Sequence, residues 1–314
     1  MVFDWHVPFF FVCSVLALVA CTAQVPTTLT PTVSPTAPST ATLFPTRTPT
    51  VALTPTPIPL PALHFPPALA ILARGFGGPD DLALLPDGSI LFSDIGNGTI
   101  NQIAHNGKVT TLLRGLKEPE GIVLLPDGAL IIAEQDTNRL LFFHPGTGQS
   151  ATTWLKLVNK TGHAGVDGIV RDPATGDLIV SDSPNGRVLR VSADAKSVRV
   201  IATGLVRPTG AAVAPNGDII IADEYGDAVK LLRADGGVIS LGRFSMPDDI
   251  AIDAAGNIFV ASLGDNSVRM IGTTGGAVKL IANIRDPQGI MVDAGGNLVV
   301  AEGNLNRIVR LKIR

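Results

Sequence analysis

Six short stretches of this 314-residue chain begin alike: Pro79-Asp80-Asp81-Leu82, Pro119-Glu120-Gly121-Ile122, Val166-Asp167-Gly168-Ile169, Pro208-Thr209-Gly210-Ala211, Pro247-Asp248-Asp249-Ile250 and Pro287-Gln288-Gly289-Ile290. Their successive spacings are 40, 47, 42, 39 and 40 residues. A unit of that length is one supersecondary element that cannot bury its apolar face alone, so neighbouring units must stack. Seven residues into each unit comes a turn, as in Pro86-Asp87-Gly88 or Pro215-Asn216-Gly217, and a short aliphatic strand such as Leu130-Ile131-Ile132-Ala133 follows. Five of these strands end on an acid (Asp94, Glu134, Asp182, Asp223 and Glu302), and Ser262 stands in the remaining one.

Four short strands per unit, with turns at fixed offsets, is the pattern of a propeller blade. The composition agrees. Charged residues are 16% of the chain, against roughly a quarter in a typical domain. Small aliphatics replace them and suit sheets buried on both faces. The expectation is therefore all-β: residues 62–314 form a six-bladed β-propeller of four-stranded antiparallel blades. The sixth unit runs out at Leu311-Lys312-Ile313-Arg314, one strand short. Ala70-Ile71-Leu72-Ala73-Arg74-Gly75-Phe76 matches the outermost strand of the first unit, Thr110-Thr111-Leu112-Leu113-Arg114-Gly115-Leu116. An N-terminal strand should thus complete the last blade and remove a long exposed edge.

Pro-x-Gly-Ile, Pro-Asp-Gly, and Ala-Asp/Glu followed by Asn and Arg resemble the NHL repeat, and the resemblance runs through residues 62–314. In such blades the acid ending the second strand has a mainly structural role. It accepts loop amides and pairs with a following Asn or Arg, here Asn138 and Arg139, Asn185 and Arg187, Asn306 and Arg307.

Ahead of the repeats lie two segments of another kind. Val7 to Ala20 is an apolar run broken only by Pro8 and Ser14. It is short for a membrane span and fits the apolar region of a signal peptide. Leu18-Val19-Ala20-Cys21 resembles the bacterial lipobox, which implies a signal peptide over 1–21 and lipidation of Cys21. The other reading is an uncleaved hydrophobic anchor. Either way the folded domain is expected outside the cytoplasm, tethered at a bacterial cell surface. Residues 22–61 hold 13 Thr and 10 Pro. So little apolar side chain cannot offset ordering entropy, and the stretch reads as an extended linker reaching on the order of 120 Å. Both cysteines, Cys13 and Cys21, precede it, so the folded part has no disulfide framework. A net charge of -3 and 5% aromatic residues provide neither the basic footprint nor the stacking platforms of a nucleic-acid binder.

The residue inside each Pro-x-Gly should point toward the central channel: Asp80, Glu120, Asp167, Thr209, Asp248 and Gln288. Four carboxylates converging without an obvious cation raise one another's pKa. All six side chains offer oxygen, a donor set for a hard cation, calcium in preference to magnesium. Asp80, Glu120, Asp167 and Asp248 are the expected ligands, with Thr209 and Gln288 offering neutral oxygens to a ligand or to water. The alternative is a solvated polar channel mouth. Propellers of the gluconolactonase/senescence-marker-protein family, and paraoxonases, are similar here. They hold a divalent cation in the channel through acids and Asn of these loops. Asp167-Gly168 and Asp248 match positions of that pattern, and the doublets Asp80-Asp81 and Asp248-Asp249 look like paired paraoxonase ligands. This chain has no Asn in the ring and lacks the family's Glu-Gly-Pro in the first blade.

The longest link between units, Asn159-Lys160-Thr161-Gly162-His163-Ala164-Gly165, carries the one histidine expected on the ring's face. His105 and His144 fall in outer turns on the opposite face, and His64 in the closing strand. His163, beside Asp167 in the sequence, could serve as a general acid/base, as could Asp248, or His163 could be an exposed loop histidine. Glu224-Tyr225, in the fourth blade's loop on the ring's face, carries the only tyrosine, a candidate ligand contact. Two function classes follow. The first is an extracytoplasmic binding module for a small ligand, glycan or protein partner. The second is a metal-dependent lactonase or esterase resembling the gluconolactonases and paraoxonases, with the streptogramin-inactivating lyases a more distant third.

Overall fold

A computed structural model of the protein describes residues 68–158, 165–272 and 275–313. Cys21, the linker, His64 and His163 lie outside the described residues. The described strands form six four-stranded antiparallel sheets, the expected six blades. In the first blade the chain runs outward through Pro79–Leu84, Ile90–Asp94, Thr99–Ile103 and Val109–Arg114. The sixth is built from Pro287–Val292, Leu298–Glu302 and Arg307–Lys312, and its outermost strand is Ala68–Arg74. That strand pairs antiparallel with Arg307–Lys312, from Ala68 opposite Lys312 to Arg74 opposite Arg307. Among the described residues no helix is long and apolar enough to cross a membrane.

No single core lies at the centre. Six apolar clusters occur, each shared by two neighbouring blades. Phe92 and Ile103 of blade one, for example, meet Val299 and Ile308 of blade six. Leu91 and Ile100 of the same blade meet Leu130 and Ile132 of blade two. Every blade is thus apolar on both faces, which is what the aliphatic composition predicted. The second strands are buried along their length, whereas the outermost strands are largely exposed.

The acids ending the second strands tie the loops on the channel's upper face, as expected. Asp94 accepts the Gly77 amide at 3.0 Å and the Asn97 side-chain amide at 2.7 Å. Glu134 is bonded by Arg139 at 2.6 Å, Asp182 by Arg187 at 2.5 Å and Glu302 by Arg307 at 2.5 Å. Asn185 joins Asp182 at 2.9 Å. Asn138 departs from the expected pairing: its side-chain oxygen accepts the Val166 amide of the next blade at 2.7 Å.

The innermost strands approach each other backbone to backbone. A Cβ added to Gly168 would lie 2.5 Å from the Thr209 carbonyl oxygen, and one on Gly289 would lie 2.3 Å from that of Asp80. This is why four of the six units carry glycine there. In blades one, two, four, five and six the pairing register breaks just at Pro-x-Gly, as between Pro79 and Leu82. The break re-aims the intervening residue, the usual effect of a bulge.

Gly168→Ala should destabilise the domain by about 1–3 kcal/mol through overpacking. Denaturant unfolding checks this, and an unchanged midpoint would contradict the close approach.

Candidate functional site

Asp80, Asp167 and Asp248, together with the inner strands, line a channel cavity of about 320 Å³. Asp80, Glu120 and Asp167 are each 8% exposed. Burial first, then the charges of Glu120, Asp248 and Asp167, hold the Asp80 carboxyl well above the ordinary range. Burial and Asp167 raise Glu120 likewise, against a hydrogen bond shared with Asp80 and the pull of Arg207. Asp248 is raised by burial, Asp167 and Glu120. Asp167 is raised by burial, with Arg207 opposing. Asp80, Glu120, Asp167 and Asp248 therefore form a set of mutually repelling acids.

The sequence reading missed the cation among them. Arg207 immediately precedes the fourth unit's Pro208, and its Nη2 bonds Asp167 Oδ2 at 2.8 Å. Its Nη1 bonds the Glu224 carboxylate. The charges of Asp248 and Glu120 act on it as well. Its guanidinium carbon sits 5.2 Å from the centroid of the Tyr225 ring. Gln135, also missed, donates Nε2 to Glu120 at 2.8 Å and reaches Asp167 at 3.5 Å. A signal for Arg207 existed. The residues before the repeat's start are Gly78, Glu118, Gly165, Arg207, Met246 and Asp286, and only one is basic.

The remaining expected residues divide. Tyr225 is 60% exposed at the rim, beside Arg207. Gln288 is half-buried and lines, with Asp80, a polar cleft of about 330 Å³ between blades six and one. Thr209 is corrected: it is 0% exposed and its hydroxyl donates to the Asp248 carbonyl at 2.7 Å, so it offers nothing to a ligand. The doublets are corrected too. Asp81 accepts the Ile122 amide of blade two at 2.6 Å, and Asp249 accepts the Ile290 amide of blade six at 2.8 Å. Where the other units have glycine, these two acids fasten one inner strand to the next. Only the first member of each doublet belongs to the ring.

Whether the ring suits a divalent ion can be asked of its donors. Their chemistry fits, since all are oxygen. Their arrangement does not: no three His, Cys, Asp or Glu side chains gather as a ligand set among the described residues. Asp167 is occupied by a guanidinium and Glu120 by an amide NH₂.

Six antiparallel blades around a channel whose mouth concentrates carboxylates define a six-bladed propeller with a polar axial site. Residues 83–284 match the SMP-30/Gluconolactonase/LRE-like region family, and the chain belongs to that family. No curated protein matches it. Among solved structures it is similar to a gluconolactonase from Xanthomonas campestris, with 15% identity, 78% of this chain and 89% of that chain covered, and a TM-score of 0.67. It is also similar to virginiamycin B lyase from Staphylococcus aureus, with 14% identity, 79% and 99% covered, and a TM-score of 0.61. A chain of a nidogen/laminin complex matches at 18% identity, with 72% and 89% covered and a TM-score of 0.63. At such identities the likeness speaks for the fold alone.

Asp249 yields a pH test. Burial raises its carboxyl to about 7, against the amide bonds from Ile290 and Ile250. An acid whose pKa is raised on folding holds its proton more tightly in the folded state. Its contribution is complete below about pH 4 and lost as the pH rises through its folded pKa. The melting temperature should therefore fall from about pH 5 to pH 8. Asp249→Asn, which keeps a carbonyl acceptor for Ile290 without the charge, should flatten part of that slope. A wild-type stability that is level or rises across this window would contradict the assignment.

Proposed function

We propose that the chain is an extracytoplasmic, membrane-tethered binding module, and that it takes a small ligand rich in hydroxyl groups at the channel mouth. One observation carries this. The carboxylate of Asp248 faces the cavity and receives no hydrogen bond among the described residues, while its neighbours Asp167 and Glu120 are already engaged by Arg207 and Gln135. A ligand hydroxyl can donate to Asp248 and Asp80. A cavity of about 320 Å³ lies at the small end of the range for ligand sites. Tyr225 on the rim adds an aromatic face.

A second reading is favoured by family membership: a lactonase or esterase using Asp248 and His163 to handle protons. A divalent ion held by Asp80, Glu120, Asp167 and Asp248 belongs to that reading, and the present arrangement of those side chains does not support it.

Thermal shift against a panel of monosaccharides, sugar acids and lactones, paired with a lactone and arylester turnover screen, separates the two. The binding reading expects a shift without turnover, lost in Asp248→Ala. Saturable turnover that falls by orders of magnitude in Asp248→Ala and His163→Ala would replace it with the hydrolase. No shift with any member of the panel would sink the choice of ligand class. Tethering is tested separately. Cys21→Ser should move the protein from the membrane to the soluble fraction if Cys21 is lipidated, whereas a retained hydrophobic anchor would leave it in the membrane.

A further inference from the structure

We propose that Arg207 is the permanent cation of the channel mouth, a part of the chain standing where a divalent ion would otherwise be required. The proposal takes from the preceding reading only that the channel mouth is the functional site.

Charge and position support it. Asp80, Glu120, Asp167, Asp248 and Glu224 surround the site, and Arg207 is the cation that bonds directly within this group. It bridges acids of two blades, Asp167 from the third and Glu224 from the fourth. A planar guanidinium with five donors is suited to span two carboxylates at once, and it stays charged at any working pH.

Its placement is built. The Arg207 amide donates to Asp223 at 3.0 Å, and its carbonyl accepts the Glu224 amide at 2.9 Å. Pro208 follows and fixes the next φ. The backbone is thus held on both sides, while Tyr225 lies against the guanidinium at 5.2 Å. The side chain is only 19% exposed, so it is not a surface arginine swinging through solvent.

A chemical consequence follows. A divalent ion has open coordination positions and lowers the pKa of the water it binds. A guanidinium offers N–H donors only. It can orient a ligand oxygen, but it cannot generate hydroxide. A site with this cation binds without carrying metal-activated hydrolysis.

Calcium dependence of the melting temperature tests this on the full chain. The wild type should melt identically in chelator and in millimolar calcium, and calorimetric titration with calcium should show no binding. Arg207→Met leaves the carboxylates without their cation. It should melt lower in chelator and regain about 5–10 °C with calcium at a hundredfold excess over its dissociation constant. Arg207→Lys, which keeps the charge, should stay insensitive to calcium. A wild type that gains several degrees from calcium, or carries one ion per chain by elemental analysis, overturns the proposal. So does an Arg207→Met that folds and ignores calcium. Should Arg207→Met not fold in either buffer, the wild-type titration decides alone: no binding upholds the proposal and one ion per chain overturns it. None of these measurements uses a sugar or lactone, so their failure is distinct from failure of the binding reading.

Discussion

The inner strands of the propeller touch backbone to backbone around the axis, and the rest of the molecule follows from that contact. A Cβ on Gly121 would meet the Ile169 amide nitrogen at 2.7 Å, and one on Gly210 would meet Asp249 at 2.5 Å or closer. With so little room between strands, the pairing register breaks beside these positions in five of the six blades, and Asp80 and Asp248 are among the residues it turns toward the channel. Asp80, Asp167 and Asp248 share that narrow space with Glu120 beside them, so four acids lie together. Burial and mutual repulsion then push their protonation upward. In blades one and five, Asp81 and Asp249 replace the glycine and accept the next strand's amide. The same contact that closes the ring thereby brings further carboxyls beside it.

Much of this was legible in the sequence because propellers are periodic. A spacing of about forty residues, a proline at five of the six starts and a glycine turn seven residues on are local marks that recur along the chain. Closure was legible because Ala70-Ile71-Leu72 resembles the outer strand of another unit. What failed had a common cause: the direction in which a side chain points after a register break is decided by a neighbouring blade. Thr209 was expected to face the channel, yet its short hydroxyl finds the Asp248 carbonyl first. The doublets resemble paired paraoxonase ligands, yet the second acid of each accepts an amide of the next blade. Arg207 was invisible as a partner of Asp167 because forty residues separate them, although it is the one basic residue before a repeat start.

Membership of the SMP-30/gluconolactonase group and likeness to a gluconolactonase, a lyase and a nidogen/laminin chain illustrate how little a fold says of an activity. The scaffold supplies an axis and a ring of six positions. The residues at those positions, and at the positions just before them, decide what the axis holds. Here one guanidinium lies among the carboxylates. Buried charges of one sign are costly unless paired; under the proposed assignment that pairing falls to Arg207, which bonds Asp167 and Glu224 directly.

A crystal structure grown from millimolar calcium tests this account most directly. It predicts the Arg207 guanidinium between Asp167 and Glu224, with no ion density at the roughly 2.3–2.6 Å from carboxylate oxygens that calcium adopts. An ion held by Asp80, Glu120, Asp167 and Asp248, with Arg207 turned out toward solvent, would contradict it.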